Sequence, residues 1–224
     1  MSRCFLTFCR LPPDEDVTTV CEEILDFWFG DSLDSPDAVA ARRGSWFVQS
    51  DAFDRSIEVR FGSLPDRALR GELDGWSREP RSALALVLVL DQFPRNLYRG
   101  NPRSFGSDAK ACEIALLAIK AGFDQRLHPL EASFLYLPLE HSEDLHLQDR
   151  SVELFEKLVS RAPDDLRPMF DQFVAYAIRH REVIRQFGRF PHRNTILGRH
   201  STLEELAYLQ SGGETFGGAD AGKG

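Results

Sequence analysis

Cysteine is scarce in this sequence and unpaired in spacing. Its four cysteines, Cys4, Cys9, Cys21 and Cys112, form no CxxC pair and no framework spacing. That argues against a disulfide scaffold or a zinc ribbon and fits a reduced cytoplasm. Long apolar runs are missing too. The longest, Ala83 to Leu90, falls far short of the roughly 20 residues of a membrane span. Arg3 and Arg10 interrupt the weakly apolar start, Met1 to Leu11, and no small-residue cleavage pattern follows, so a loose extension is expected there rather than a signal peptide. No strand–helix alternation and no glycine-rich phosphate loop occur, which removes the physical basis of Rossmann and P-loop readings. Lysine is nearly absent: 4 of the 27 basic residues are Lys and the rest are Arg. The bland reading of that excess is a GC-rich genome, so only local clustering of Arg carries weight.

What is present is acidic, apolar enough to fold, and unevenly charged. The net charge is −8, with 42% hydrophobic and 28% charged residues. This supports a normal core and argues against general binding of a nucleic-acid backbone. From Glu131 to Glu156 there are seven acids against one Arg; from Ile178 to His200 there are six Arg against one Glu. Two opposed local fields lie behind the modest total.

The pattern predicts helices throughout. Thr19 with Glu22 forms a capping-box pair opening a helix that stops at Gly30. Pro36 starts a short helix ending near Gly44. Asp51 caps one carrying Phe53, Ile57 and Phe61, and Leu64 to Arg70 forms another, closed by Gly71. Ser77 and Pro80 introduce Ala83–Leu90, apolar on all sides and so expected as the central helix, ended by Pro94. Ser107 and Asp108 start a helix closed by Gly122. Pro129 opens one that Pro138 kinks or breaks, and Val152 to Val159 belongs to another. Asp164 or Asp165 caps a long helix ending at Gly188, with a stripe of Phe173, Ala177, His180, Ile184 and Phe187. Ser201/Glu204 and Thr202/Glu205 offer overlapping capping boxes for a last helix. With no long linker, the expectation is one all-helical (all-α) domain over 16–211, between a loose extension (1–15) and a flexible Gly-rich tail (212–224).

Three segments differ from ordinary helix text. In Asp91-Gln-Phe-Pro-Arg-Asn96, Arg95 and Asn96 are rigid donors at a helix end; a plain C-terminal cap is the bland reading. In Phe134–Asp144, a helix continuing past Pro138 puts Glu140 and Asp144 on one face and His141 beside Asp144, the arrangement that orients an imidazole for proton transfer. A divalent metal is a weaker reading, since no known ligand spacing occurs. In Phe187–Asn194, Arg189, His192, Arg193 and Asn194 cluster around a rigid Pro, suited to a carboxylate or phosphate. The strings Gln92–Asn96 and Arg189–Asn194 echo one another, as two similar helix exits facing one site would. His180, on an apolar stripe, reads as a core histidine.

The strings ILDFWFGD, DQFPRN, FLYLPLEHSEDL, SVELFEKL and GRFPHRN resemble the bacterial domain-of-unknown-function family nine-two-four, from about Ile24 to Phe216. The resemblance implies a tetratricopeptide-repeat-like stack of antiparallel helix pairs. It brings no established activity or site residues.

The reading placed first is a cytoplasmic pocket protein for a small anionic molecule, with His acid–base chemistry. Arg95, Asn96, Arg189, Arg193 and Asn194 hold the anion. His141 or His192 moves a proton, oriented by Glu140 or Asp144. The second is a purely structural network in which the acidic and basic segments pair with each other. The third is a helical scaffold for a protein or peptide partner. Nucleic acid ranks last, despite Phe187 and Phe190 among Arg. The sequence assigns no metal and names no cofactor.

Overall fold

Eight consecutive residues, Ala83 to Leu90, are fully buried, as an element apolar on every side must be. In the computed structural model, which describes residues 15–33 and 35–217, they belong to α5 (Pro80–Val87) and the turn that follows it. Around α5 pack α1 (Glu15–Phe29), α7 (Asp108–Lys120) and α8 (Pro129–Glu140). At about 1.5–3 kcal/mol for each large apolar side chain buried, this run is the thermodynamic centre of the fold. Between α1 and α5 lie α2 (Pro36–Phe47), α3 (Asp51–Phe61) and α4 (Leu64–Leu69). No strand occurs among the described residues.

The central helix does not stop at Pro94 as the sequence suggests. After Val87 the backbone widens into a π turn over Leu88–Gln92 and then resumes as α6 (Phe93–Leu97). The Phe93 N–H bonds the Leu88 carbonyl five residues back. Pro94 has no N–H for the Leu90 carbonyl, and the Ser107 hydroxyl donates to that oxygen instead, at 2.5 Å. Arg95 Nη1 donates to the next carbonyl, Asp91 O, at 2.6 Å. The proline is thus tolerated because the Ser107 side chain supplies the missing donor. The widening also turns Asp91 and Gln92 inward, and both are buried. Single π turns of this kind recur at functional sites.

The second half is a layered run of α8, α9 (Leu145–Val159) and α10 (Arg167–Phe187), α9 packing on both neighbours. α8 continues through Pro138 and ends at Glu140, with His141 as its C-cap. Asp144 is the N-cap of α9, accepting the His146 N–H at 2.8 Å and the Leu147 N–H at 3.4 Å. The expected shared face of Glu140, His141 and Asp144 therefore does not exist: the chain turns between them. At α10 the N-cap is Leu166, not Asp164 or Asp165; Asp164 pairs instead with Arg167. Gly188 (φ +68°) ends α10 in the left-handed conformation that a side chain resists.

Two other expected caps shift. α1 is already running at Glu15, so Thr19 and Glu22 are interior to it, and Glu22 pairs with Arg81. α3 is capped by Ser50, with Asp51 its first residue. The Thr202/Glu205 box does form, with both reciprocal bonds, at the start of α11 (Leu203–Gln210). Of the expected loose extension, Glu15 is helical and the rest lies outside the described residues, as do Cys4, Cys9 and residues 218–224 of the expected tail.

Candidate functional site

The π turn, the end of α8, the middle of α10 and a short 3₁₀ turn over Pro191–Arg193 converge on one cavity of about 480 Å³. That volume lies within the roughly 300–1,000 Å³ of small-molecule sites. One wall is apolar and aromatic: Trp46, Phe47, Phe134, Phe155 and Phe173. The other is polar, with Arg95, Glu140, His141, His180, His192 and Arg193. Among the described lining residues, five are Arg (Arg43, Arg95, Arg99, Arg179, Arg193) and one, Glu140, is acidic.

Asp91 is the buried anchor. Its carboxylate accepts from Gln92 Nε2 at 2.5 Å and meets His141 Nδ1 at 2.8 Å and Arg95 Nη1 at 3.3 Å. Burial alone raises this carboxyl group. The Arg95 charge, the His141 ring and the Gln92 amide overcome it and hold the group well below the usual carboxylate range. Burial lowers His141, Arg95 adds to this, and Asp91 only partly opposes them. The ring is neutral at pH 7, donates through Nδ1–H to Asp91, and keeps Nε2 as the basic nitrogen. A carboxylate behind an imidazole is the arrangement that fixes tautomer and orientation for general-base work.

A second pair lies beside the first. His180 Nδ1 donates to the Tyr176 carbonyl at 3.0 Å and stands 3.3 Å from Glu140 Oε1. Burial, then repulsion by Asp91, raises Glu140 to about 8, so it is largely protonated at pH 7. Burial drives His180 well below the ordinary histidine value. The His141 and His180 rings are 6.3 Å apart, centroid to centroid. One neutral base and one proton-bearing acid thus flank the same space, the separation of roles that acid–base sites require.

The two arginines differ in how fully they are used. Asp108 accepts both terminal nitrogens of Arg95, at 2.9 and 3.0 Å, and also Arg193 Nη1 at 3.2 Å. Arg193 packs over the rings of Phe105 and Phe190, at 4.6 and 4.4 Å. It is 6% exposed, and burial lowers it to about 10. Its Nε is buried with no acceptor, and Nη2 has none either among the described residues. Nε and Nη2 lie on one edge of the guanidinium, the edge that takes a carboxylate or phosphate two-pronged. His192 Nδ1, one residue away, is buried and unpartnered too, and burial followed by the Arg193 charge brings His192 down to about 3.

Of the residues singled out in the sequence, Arg95, Asn96, Glu140, His141, His192 and Arg193 line this cavity. Asn96 is committed to Asp54 at 2.7 Å. Asp144 is a helix cap. Arg189 grips Glu205 with two bonds, at 2.6 and 2.8 Å, and Asn194 bridges Ser201, Glu205 and Arg199. Arg189 and Asn194 hold the 188–205 segment in shape, and neither they nor Asp144 line the cavity. The acidic and basic stretches do meet, but elsewhere: Arg199 grips Glu143 at 2.6 and 3.0 Å. Asp91, Asp108 and Phe216 had no site role in the sequence pattern, and His180 is buried and hydrogen-bonded, as a core histidine should be, while also lining the cavity. A carboxylate closing an eight-residue apolar run was the available signal for Asp91.

Fold and site together describe an all-helical protein with an arginine-lined and histidine-lined cavity among its described residues. The DUF924 family of bacterial proteins of unknown function matches residues 24–213, and the chain belongs to that family. A solved structure of a protein of unknown function from Agrobacterium tumefaciens, ATU0120, is 37% identical. It superposes with a TM-score of 0.73 over 88% of this chain and 99% of the other. No curated protein matches.

Proposed function

We propose that the cavity binds a small organic anion with an apolar body and that His141, held by Asp91, is a general base toward it. The observation that carries this reading is the Nε–Nη2 edge of Arg193, where Nε is a buried donor without an acceptor and Nη2 pairs with none of the described residues. Leaving such donors unpaired costs free energy, and a bound carboxylate or phosphate recovers it. The aromatic wall takes the apolar body, while His141 Nε2 accepts a proton from the ligand or from water. Glu140, protonated near neutrality, is the matching donor.

Calorimetric titration with acetate, longer carboxylates and inorganic phosphate tests the binding step. Arg193→Met is expected to weaken the best of these by about ten- to a hundredfold, the equivalent of the roughly 1.5–3 kcal/mol of a charged hydrogen bond. His141→Gln keeps binding and removes any turnover. Equal affinity in Arg193→Met and wild type refutes the reading.

A further inference from the structure

The segment after α11 crosses the cavity, and Thr215, Phe216 and Gly217 form part of its lining. The Phe216 ring stacks on His180 with centroids 3.5 Å apart and planes 19° apart. Three more rings meet it edge to face: Tyr176 at 5.6 Å, and Phe190 and His192 each at 5.9 Å. A planar ring with a negative face and positive edge is what such a box selects, and a flexible alkyl chain gains only the contact area.

Phe216 fills this box at a backbone disadvantage. Its φ is +51°, and no other non-glycine residue among those described takes a positive value. The strap it belongs to, residues 212–217, is held by an exposed ion pair and a half-buried hydrogen bond. Arg179 pairs with Glu214 at 3.0 Å, and the Glu214 N–H donates to the Tyr208 hydroxyl at 2.8 Å. Phe190 connects the box to the anion fork, since its ring also carries the Arg193 guanidinium at 4.4 Å. His192 likewise touches the box and neighbours the fork.

Building on the anion reading above, we infer that the box filled by Phe216 is a ring subsite. The cavity's ligand is then an aromatic carboxylate whose ring takes the place of Phe216 and displaces the 212–217 strap. Phe216 is the stand-in that keeps water from His180 and Glu140 until that ligand arrives.

The test uses the full chain, wild type and Phe216→Ala, titrated with acetate, hexanoate and 3-phenylpropionate and followed by NMR. Removing the competing ring tightens 3-phenylpropionate about tenfold and leaves the other two acids within about twofold, as expected where roughly a tenth of the free protein has its strap open. In the wild type, 3-phenylpropionate also speeds hydrogen exchange of the Glu214 amide, because its bond to Tyr208 is released. If acetate binds but Phe216→Ala leaves 3-phenylpropionate unchanged or weaker, or tightens hexanoate equally, the ring subsite is refuted and the anion reading stands. If 3-phenylpropionate slows Glu214 exchange, displacement is refuted. If none of the three acids binds either protein, both readings fail.

Discussion

At the scale of single residues, Arg95 and Arg193 share one acceptor, Asp108, but do different work. Arg95 neutralises two buried or half-buried carboxylates, Asp91 and Asp108. Arg95→Ala leaves both without their main partner, and a thermal melt is expected to report a loss of about 3–5 kcal/mol. Arg193 makes one hydrogen bond and repels Arg95. Arg193→Met should therefore stay within about 1 kcal/mol of wild type, since Asp108 keeps both of its bonds from Arg95 and the unpaired buried Nε is removed. Equal losses in the two variants would mean that Arg193 is structural. The Asp91–His141 pair is checked by ¹⁵N NMR of the ring. The wild type is expected in the Nδ1–H tautomer, and Asp91→Asn should lose it, because the amide can offer a donor to Nδ1.

Residue identities were legible in the sequence to the extent that local text singles them out. Arg95, His141, His192 and Arg193 stand out as polar groups beside Pro or after an apolar stretch. Their partners did not, because those come from distant elements: Asp91 is 50 residues from His141, and Asp108 is 85 from Arg193. Asp144 was the natural partner for His141 at helical spacing and was wrong for a local reason. The helix ends at Glu140, and Asp144 spends its carboxylate on the next helix's N–H groups.

At the scale of elements, the continuation of α5 through Pro94 positions the polar wall. A proline after an apolar run reads as a stop, and nothing local announces that Ser107 will satisfy the freed Leu90 carbonyl. Ser107→Ala leaves the buried Leu90 oxygen without its donor, and denaturant unfolding is expected to show a loss of about 1–3 kcal/mol. In the Pro94→Ala background the new N–H can serve that oxygen, so the same change should cost less than half as much. Additive losses would contradict this account of the π turn. Existence and order of the helices were readable from apolar spacing, proline and glycine. Several caps were not, since Ser50 and Leu166 rather than the neighbouring aspartates hold the cap positions.

At the scale of the molecule, the net charge of −8 conceals a cavity lined by five Arg and one acid, with four of those Arg paired to carboxylates. The two opposed stretches cancel partly through Glu143–Arg199, while Arg193 turns away from that exchange toward Asp108 and the cavity. Among the described residues no helix is long and apolar enough to cross a membrane. Buried titratable groups also set the pH response. Glu140 keeps its proton to about 8 in the folded state, whereas the unfolded chain releases it near the ordinary carboxylate value. Between those values the folded form binds more protons, so this group's contribution to stability falls as pH rises and is fully lost above about 8. His180 and His192 act in the opposite sense below the ordinary histidine value, where the unfolded chain binds protons that the folded one refuses. Chemical denaturation from pH 5 to 9 should give a maximum between these limits. Glu140→Gln should flatten the alkaline side; an unchanged alkaline slope would show that Glu140 ionises normally.

The anion fork of Arg193 is the central claim, and the Nε–H resonance of that residue reports on it directly. Titrating the ¹⁵N-labelled full chain with 3-phenylpropionate, with the resonance assigned by its absence in Arg193→Met, follows the buried donor itself. A saturable downfield shift of Arg193 Nε–H is expected, with the Arg95 signals moving little. A resonance that stays fixed while other signals saturate would place the ligand elsewhere and leave Arg193 outside the binding site.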